Sequence, residues 1–536
     1  MTRQPLSEPY YNLSFEAGNY NFYQPTIDFS GPLTEDDTVL YRFIASYRSA
    51  ESIQDFVSTD LLSISPSITL NLGDRTTLNL YYEYLNASVD SSELPGRLSD
   101  GTTIFPRNFY PGYPQFNSVE ATTQRYGYAL RHEFSDDLQL RNVFAVNNSE
   151  YQDQRSIGFE LVDDRFLVIG DSSDAEFSWN NYFAQIDLLG EFNTGSIAHQ
   201  LLVGFDYNYT TNPQEGAFGA TNTPNLDILN PNYDDIPEPI YDTFFENQDT
   251  IESYGVYIQD QITLLDNLRL LVGGRFDWVS STGEGDFRPD RTSNDSAFSP
   301  RIGLVYQPSD TVSLYTSYSQ SFQPARTFNL FNAGGEGEPF EPTRGTQYEV
   351  GVRTDWLDGR LSATLAAYQI TKTNVITPDP DPSLAARGFS VQVGEQRSRG
   401  IELDIAGEIL PGWNVIASYA YTNAEVTEDN SISVGNRLRG VPENQASLWT
   451  TYIIQEGDLE GLGFGLGLFY IGDRQGNLNN TFTLGDYLRT DAALYYRRDR
   501  FNAAINIRNL LDINYFNANL YRGDPFTITG SVSWTF

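Results

Sequence analysis

Between residues 94 and 116 the chain reads LPGRLSDGTTIFPRNFYPGYPQF. Five aromatic rings, Phe105, Phe109, Tyr110, Tyr113 and Phe116, are interleaved there with two guanidinium groups, Arg97 and Arg107. Binding sites for organic ligands are concave, with aromatic walls and a few placed polar groups. Rings cover the apolar part of such a ligand, while tyrosine hydroxyls and arginines donate to its oxygens. Phe218, Tyr233, Phe328, Phe331, Phe516 and Tyr521 are further candidates of this kind in other polar stretches. The competing expectation is that these rings pack loops against one another.

Other chemistry is sparse. Cysteine is absent, which removes disulfides, thiolate metal sites and a cysteine nucleophile. The two histidines, His132 and His199, have no histidine neighbour at ligand spacing, so no metal site is expected. Ser135 and Ser196 lie near them in sequence, and a hydrolase would need serine, histidine and an acid placed together. The acidic runs NYDDIPE (232–238) and TPDPDP (377–382) carry oxygen ligands for a hard cation but follow no EF-hand spacing. They read as solvated loop charge. VGNRLRG (434–440) offers two arginines to an anion. The paired glycines of LVGGRFDW precede no helix, so they form no phosphate loop.

The elements that must position these groups are strands. FNAAINIRN sets Phe501, Ala503, Ile505 and Ile507 against Asn502, Asn506 and Arg508. LRLLVGGRFDW sets Leu268, Leu270, Val272, Phe276 and Trp278 against Arg269, Arg275 and Asp277. Period-two alternation of this kind is the strand pattern, and about 22 such segments run from Tyr10 to Phe536. Helical spacing is nowhere sustained. Short turns such as LGDR, SDD, LDN and LDG alternate with long polar stretches, roughly 87–122, 152–179, 211–250, 281–298, 322–344 and 427–443.

That sorting of connections, with tyrosine, phenylalanine and tryptophan near segment ends, predicts an all-β transmembrane antiparallel barrel with short periplasmic turns and long extracellular loops. One face of each strand is apolar and the other too charged for a packed core. Lipid requires every backbone polar group to be paired, which a closed barrel achieves. No segment approaches the apolar length of a membrane helix. A formal net charge of −38 argues against nucleic acid as a partner. Residues 1–20 hold one basic residue, Arg3, and no apolar run, so they do not read as a signal peptide.

Seven stretches in order carry a resemblance over essentially the whole chain. They are SYGVYIQDQITL (253–264), LVGGRFDW (271–278), FSPRIGLVYQPSDTVSLYTSYSQSFQP (298–324), QYEVGVRTDWLDGRLSATLAAYQITKTNVITPDP (347–380), GEQRSRGIELDIAGEILPGWNVIASYAYTNAEV (394–426), GVPENQASLWTTY (440–452) and NIRNLLDINYF (506–516). The chain thereby resembles the TonB-dependent siderophore receptors, particularly the ferrichrome or hydroxamate branch. The resemblance implies a cell outer-membrane receptor and no enzyme. Outer loops would capture a ferric siderophore as transported cargo, with no cofactor, and TonB would pull on a plug domain to open the lumen. Residues 1–9 resemble a remnant of the plug–barrel junction and residues 10–536 the barrel, so the plug is expected to lie outside this chain. Inward charges such as Arg269, Arg275 and Glu402 would then face the plug. A passive outer-membrane pore and an outer-membrane hydrolase are the alternatives.

The terminal FTITGSVSWTF places Ile528, Val532, Trp534 and Phe536 on one face and hydroxyl residues on the other. This strand is expected to close the barrel against the first one, with its apolar face to outer-membrane lipid. The terminal aromatic resembles the signal read by the barrel assembly machinery.

Overall fold

The computed structural model describes residues 3–90, 105–163, 165–220, 224–234, 236–286, 290–325, 339–379, 381–385, 389–518 and 520–536. Twenty-two antiparallel strands form one closed barrel, each paired with the next in sequence. The last strand, Thr527–Thr535, pairs with the first, Tyr10–Gly18, setting Leu13 opposite Trp534 and Phe15 opposite Val532. Asn12 Nδ2 donates to Thr535 Oγ1 at 2.9 Å, and the Phe536 N–H donates to the Tyr11 carbonyl at 2.8 Å. No strand edge is left open along this seam, as a lipid setting demands. Among the described residues helix is confined to Pro114–Phe116 and Pro382–Ala385.

Strand parity sorts the side chains as expected. Val272 and Trp278 are exposed on the outer face, while Arg275 on the opposite parity turns inward. Inside, Arg275 donates from Nε to Asp277 at 2.7 Å and from Nη2 to Asp206 at 2.8 Å. Its guanidinium lies over the Tyr257 ring, which in turn covers Gly204, where any Cβ would collide with that ring. Arg269 donates to Gln307 at 2.8 Å, and Tyr315 donates to Glu349 at 2.7 Å. Among the described residues these inward side chains form a polar wall of hydrogen bonds and ion pairs.

The wall is uneven in height. The first two strands have 9 and 10 residues, whereas Leu138–Val162, Phe166–Thr194, Ile197–Ala220 and Ile240–Leu265 have 25, 29, 24 and 26. On the outer face of Phe166–Thr194 the exposed apolar residues Phe192, Leu188, Ile186 and Tyr182 give way to Asn180, Ser178, Glu176 and Asp174. Phe192 to Tyr182 is about the 9–11 residues needed to cross a bilayer at a tilt. Tyr126, Tyr182, Tyr209 and, through Tyr254, Trp278 lie near the same level on successive strands, forming one aromatic girdle.

This overturns one expectation. The polar stretches 152–179, 211–250 and 281–298, which read as loops, are largely strands that continue beyond the girdle. Water bathes both faces above the membrane, so the alternation that marks a strand in lipid disappears there while the backbone ladder persists.

Residues ahead of the first strand are tied to the inner wall. Arg42 makes a bidentate pair with buried Asp28, at 2.8 and 2.7 Å, and Arg3 adds a third contact at 2.8 Å. Arg42 also donates to the Gln4 carbonyl at 2.9 Å, and the Leu6 N–H donates to Ser30 Oγ at 2.8 Å.

Candidate functional site

The loop 105–117, joining the fifth and sixth strands, crosses the extracellular mouth. Phe105, Phe109 and Tyr113 are buried with Leu167, Ile169, Leu226 and Ile228, and Phe116, Leu161, Tyr233 and Ile236 pack around them. Four separate segments thus build a small apolar core outside the membrane. Asn117 holds the loop to the tall hairpin: its Nδ2 donates to the carbonyls of Tyr113 at 2.8 Å and Ser156 at 3.1 Å, and its Oδ1 accepts from the Ser156 N–H at 2.8 Å. Gly112 allows this approach, because a Cβ there would lie 2.6 Å from the Ser156 carbonyl oxygen. Tyr113 donates to the Pro224 carbonyl and Tyr233 to the Tyr110 carbonyl, the latter at 2.9 Å. Burial pushes the Tyr113 and Tyr233 hydroxyls up from their ordinary range, so both remain donors across the usual pH range.

The loop is also fastened to the opposite side of the mouth. Arg107 makes a bidentate pair with Asp512 at 2.9 and 2.7 Å, in the connection between the last two strands. That contact holds the Asp512 carboxyl down at about 2. Arg522 donates to the Phe105 carbonyl, Gln54 Nε2 to the Phe109 carbonyl at 2.9 Å, and Asn108 to Asp55 at 2.9 Å. Phe56 meets the Tyr110 and Tyr233 rings edge-on, with centroids 6.0 and 5.0 Å away.

Of the residues singled out from sequence, Arg97, Phe328 and Phe331 lie outside the described residues. Phe105, Phe109 and Tyr113 come together and are buried in the loop core, with Phe116 and Tyr233 at its edge, and Tyr110 is buried against Phe56 and Tyr233. Phe218, 41% exposed, stacks on Phe245 at 5.0 Å on the inner face of the tall wall. Phe516 and Tyr521 lie in the connection that receives Arg107, apart from the loop core. Ile528, Val532, Trp534 and Phe536 all stand exposed on the outer wall.

Sequence reasoning passed over a second aromatic group. Tyr151, Phe177 and Trp179 stack on the inner face of the tall hairpin, with centroid separations of 5.1, 5.0 and 6.3 Å. Phe177 and Trp179 share a parity and could have been paired from sequence. Only the register, which sets Tyr151 opposite Phe177, adds the third ring.

The histidines sit on the outer face near the short-turn end. His132 Nδ1 lies 2.8 Å from Thr76 Oγ1 with its ring against Phe134, and His199 Nδ1 lies 2.7 Å from Asp260 Oδ2 with its ring stacked on Phe192. Ser135 Oγ accepts the Asp137 N–H at 3.3 Å within a turn, and Ser196 is in the exposed turn before the ninth strand. Among the described residues no group of three or more histidines and carboxylates is placed to hold a metal ion. Asp379 and Asp381 of TPDPDP accept backbone N–H groups, each at 2.8 Å, inside their own turn.

Comparison with known proteins agrees with this architecture. The family described as TonB dependent receptor-like, beta-barrel, matches residues 61–510. The metal-pseudopaline receptor CntO of Pseudomonas aeruginosa is 31% identical over 556 residues, covering 100% of this chain and 77% of that protein. The ferrichrome outer membrane transporter/phage receptor of Escherichia coli K12 is 30% identical, covering 96% of this chain and 72% of that protein. The crystal structure of the ferric-catecholate import receptor Fiu of Escherichia coli K12 superposes with a TM-score of 0.88 at 20% identity, covering 100% of this chain and 83% of that one, and attests the shared fold. With a closed 22-strand barrel matched by that family over most of its length, the chain belongs to the TonB-dependent receptors of the outer membrane.

Proposed function

We propose that this receptor captures a ferric siderophore, or a closely related metal chelate, at its extracellular mouth. One observation carries the reading: a rigid aromatic loop core and inward-facing aromatic stacks converge over the open end of a polar lumen. The buried rings Phe105, Phe109, Tyr110 and Tyr113 hold the platform's shape. Contact with the chelate falls to Phe116, Phe218, Tyr233, Phe516, Tyr521, Arg107 and the Tyr151–Phe177–Trp179 stack, with Arg97, Phe328 and Phe331 as further contacts. No bond is made or broken; iron arrives inside its chelator as cargo. The names of the relatives, receptors for metal-pseudopaline and ferrichrome, are consistent with cargo of this class.

Release into the lumen requires a plug domain acted on by TonB. Residues 1–9 are its junction with the barrel, residues 10–536, a reading supported by the hold of Arg42 and Asp28 on Arg3 and Gln4 at the inner wall. Inward Arg269, Arg275 and Glu402 are then plug-facing.

The test is quenching of tryptophan fluorescence on titration with ferrichrome, ferrioxamine B and ferric pyoverdine, with Trp179→Phe as reporter control. Saturable quenching at micromolar concentration or below, roughly −8 kcal/mol, is expected for at least one. A passive pore instead shows no saturable quenching by any of them and a large conductance indifferent to TonB.

A further inference from the structure

The connection 472–486 meets residues 509–518 and 520–526 on the inner side of the mouth, across from the tall wall. Arg474 is 3% exposed, its Nη2 donates to the Phe516 carbonyl at 2.7 Å, and its guanidinium lies 5.3 Å from the Tyr487 ring centroid. Arg522 lies 5.3 Å from the Phe516 ring centroid. Tyr487 packs on Tyr515 at 4.3 Å. Tyr487 is on the inward parity of its strand, since Leu488 and Leu494 are exposed outward.

Neither arginine has an ion-pair partner among the described carboxylates. The Nε of Arg474, the Nε of Arg522 and the Oε1 of Gln475 are buried without hydrogen-bond partners. Burial pushes both guanidiniums down from their ordinary range, and Arg522 also feels the like charge of Arg107. The chain holds 71 acidic residues against 33 basic ones, yet the neighbouring carboxylate, Asp473, accepts the Asp486 N–H at 3.0 Å and, among the described residues, forms no salt bridge with Arg474. A buried, uncompensated cation is costly, and the cost is removed when an anion arrives from outside.

The geometry points to an anion subsite at Arg474 and Arg522, walled by Tyr487, Tyr515 and Phe516, that takes a free carboxylate carried on the metal chelate. This rests on the receptor reading above and narrows it. A neutral trihydroxamate presents no such group, whereas a chelate with a pendant carboxylate can form a planar, two-point contact with a guanidinium. The inward position puts the subsite in the vestibule, away from lipid phosphates.

The experiment uses the full chain folded in detergent micelles, with heat-dependent gel mobility to verify the barrel. Iron(III) citrate is the carboxylate probe and ferrioxamine B the carboxylate-poor one, both titrated against wild type, Arg474→Gln, Arg522→Gln and Arg522→Lys. Wild type is expected to bind iron citrate, and each glutamine variant to lose about tenfold or more in affinity. Ferrioxamine B should move less than twofold, and Arg522→Lys should fall between wild type and Arg522→Gln. Should Arg474→Gln not fold, the less buried Arg522 carries the variant arm, and the wild-type preference between the two probes needs no variant. Wild type that binds ferrioxamine B but not iron citrate, or equal losses for both probes, overturns the subsite alone. Absence of binding by every chelate, including ferrichrome, overturns the receptor reading and the subsite with it.

Discussion

The outer wall and the loop core treat the same kinds of side chain in opposite ways. At the closing seam Trp534 and Phe536 stand 47% and 55% exposed, while in the loops over the mouth Tyr110 and Tyr113 are 0% exposed. Both arrangements satisfy the same preference of apolar surface for an apolar surrounding. Around the wall the surrounding is hydrocarbon, so the large side chains point out and the charges point in. Above the girdle it is water, so aromatic rings gather into a core as in any small soluble domain. The receptor is therefore two proteins in physical terms, joined along continuous strands.

By that contrast, a charge on the outer wall does the most damage. Val532→Arg should destabilise the barrel by about 2–4 kcal/mol and sharply lower folded protein in the outer membrane, while Thr529→Arg on the inner face of the same strand is tolerated. Equal effects would erase the distinction between the faces. Deleting Phe536 should also lower assembled barrel, and unchanged levels would refute its role in assembly.

Tyr113→Ala tests whether the loop core stands apart. It should remove about 3–5 kcal/mol of local packing and expose residues 105–117 to protease, with the barrel's melting temperature almost unmoved. A large shift in barrel melting would join the two regions into one cooperative unit.

The Arg107–Asp512 tie is a smaller effect with a defined pH window. The folded carboxyl sits at about 2, below the value near 4 of a free aspartate, so its stabilisation is complete above about 4. It is lost as pH falls from there through about 2. A spin-label distance between the loops should be constant from pH 8 to 5 and lengthen below 4, and Asp512→Asn should abolish that change. Lengthening already near pH 6 would implicate another group.

The smallest expected effect is that of salt. With a net charge of −38, self-repulsion weakens the compact state, and added sodium chloride screens it. The melting temperature should rise by a few degrees between 0.1 and 1 M salt, over which the Debye length falls from roughly 10 to 3 Å. A fall would mean that ion pairs such as Arg275 with Asp206 outweigh the repulsion.

Much of the wall was legible residue by residue. Val272, Trp278 and Trp534 declared their outward face, and Arg275 its inward one, because alternation is built into the backbone of a strand. The tall hairpins were not legible: once Glu176 and Ser178 leave the membrane, both faces meet water and the period vanishes. The loop candidates were legible as a composition and no further. Tyr113 could be marked as an aromatic in a polar stretch, but whether it would face a ligand or a neighbour depended on Leu167 and Leu226, about 50 and 110 residues away.

By itself, then, the sequence determined the closed barrel, its inner and outer faces and the seam between its ends, since these follow from local backbone geometry and the need to pair every polar group in lipid. Tertiary structure alone decided the height of the wall, the aromatic core over the mouth, the three-ring stack at Tyr151 and the burial of the Arg474 and Arg522 Nε atoms without hydrogen-bond partners. Each of those joins segments distant in the chain, and such proximity is set by strand register and loop docking, which no local pattern encodes.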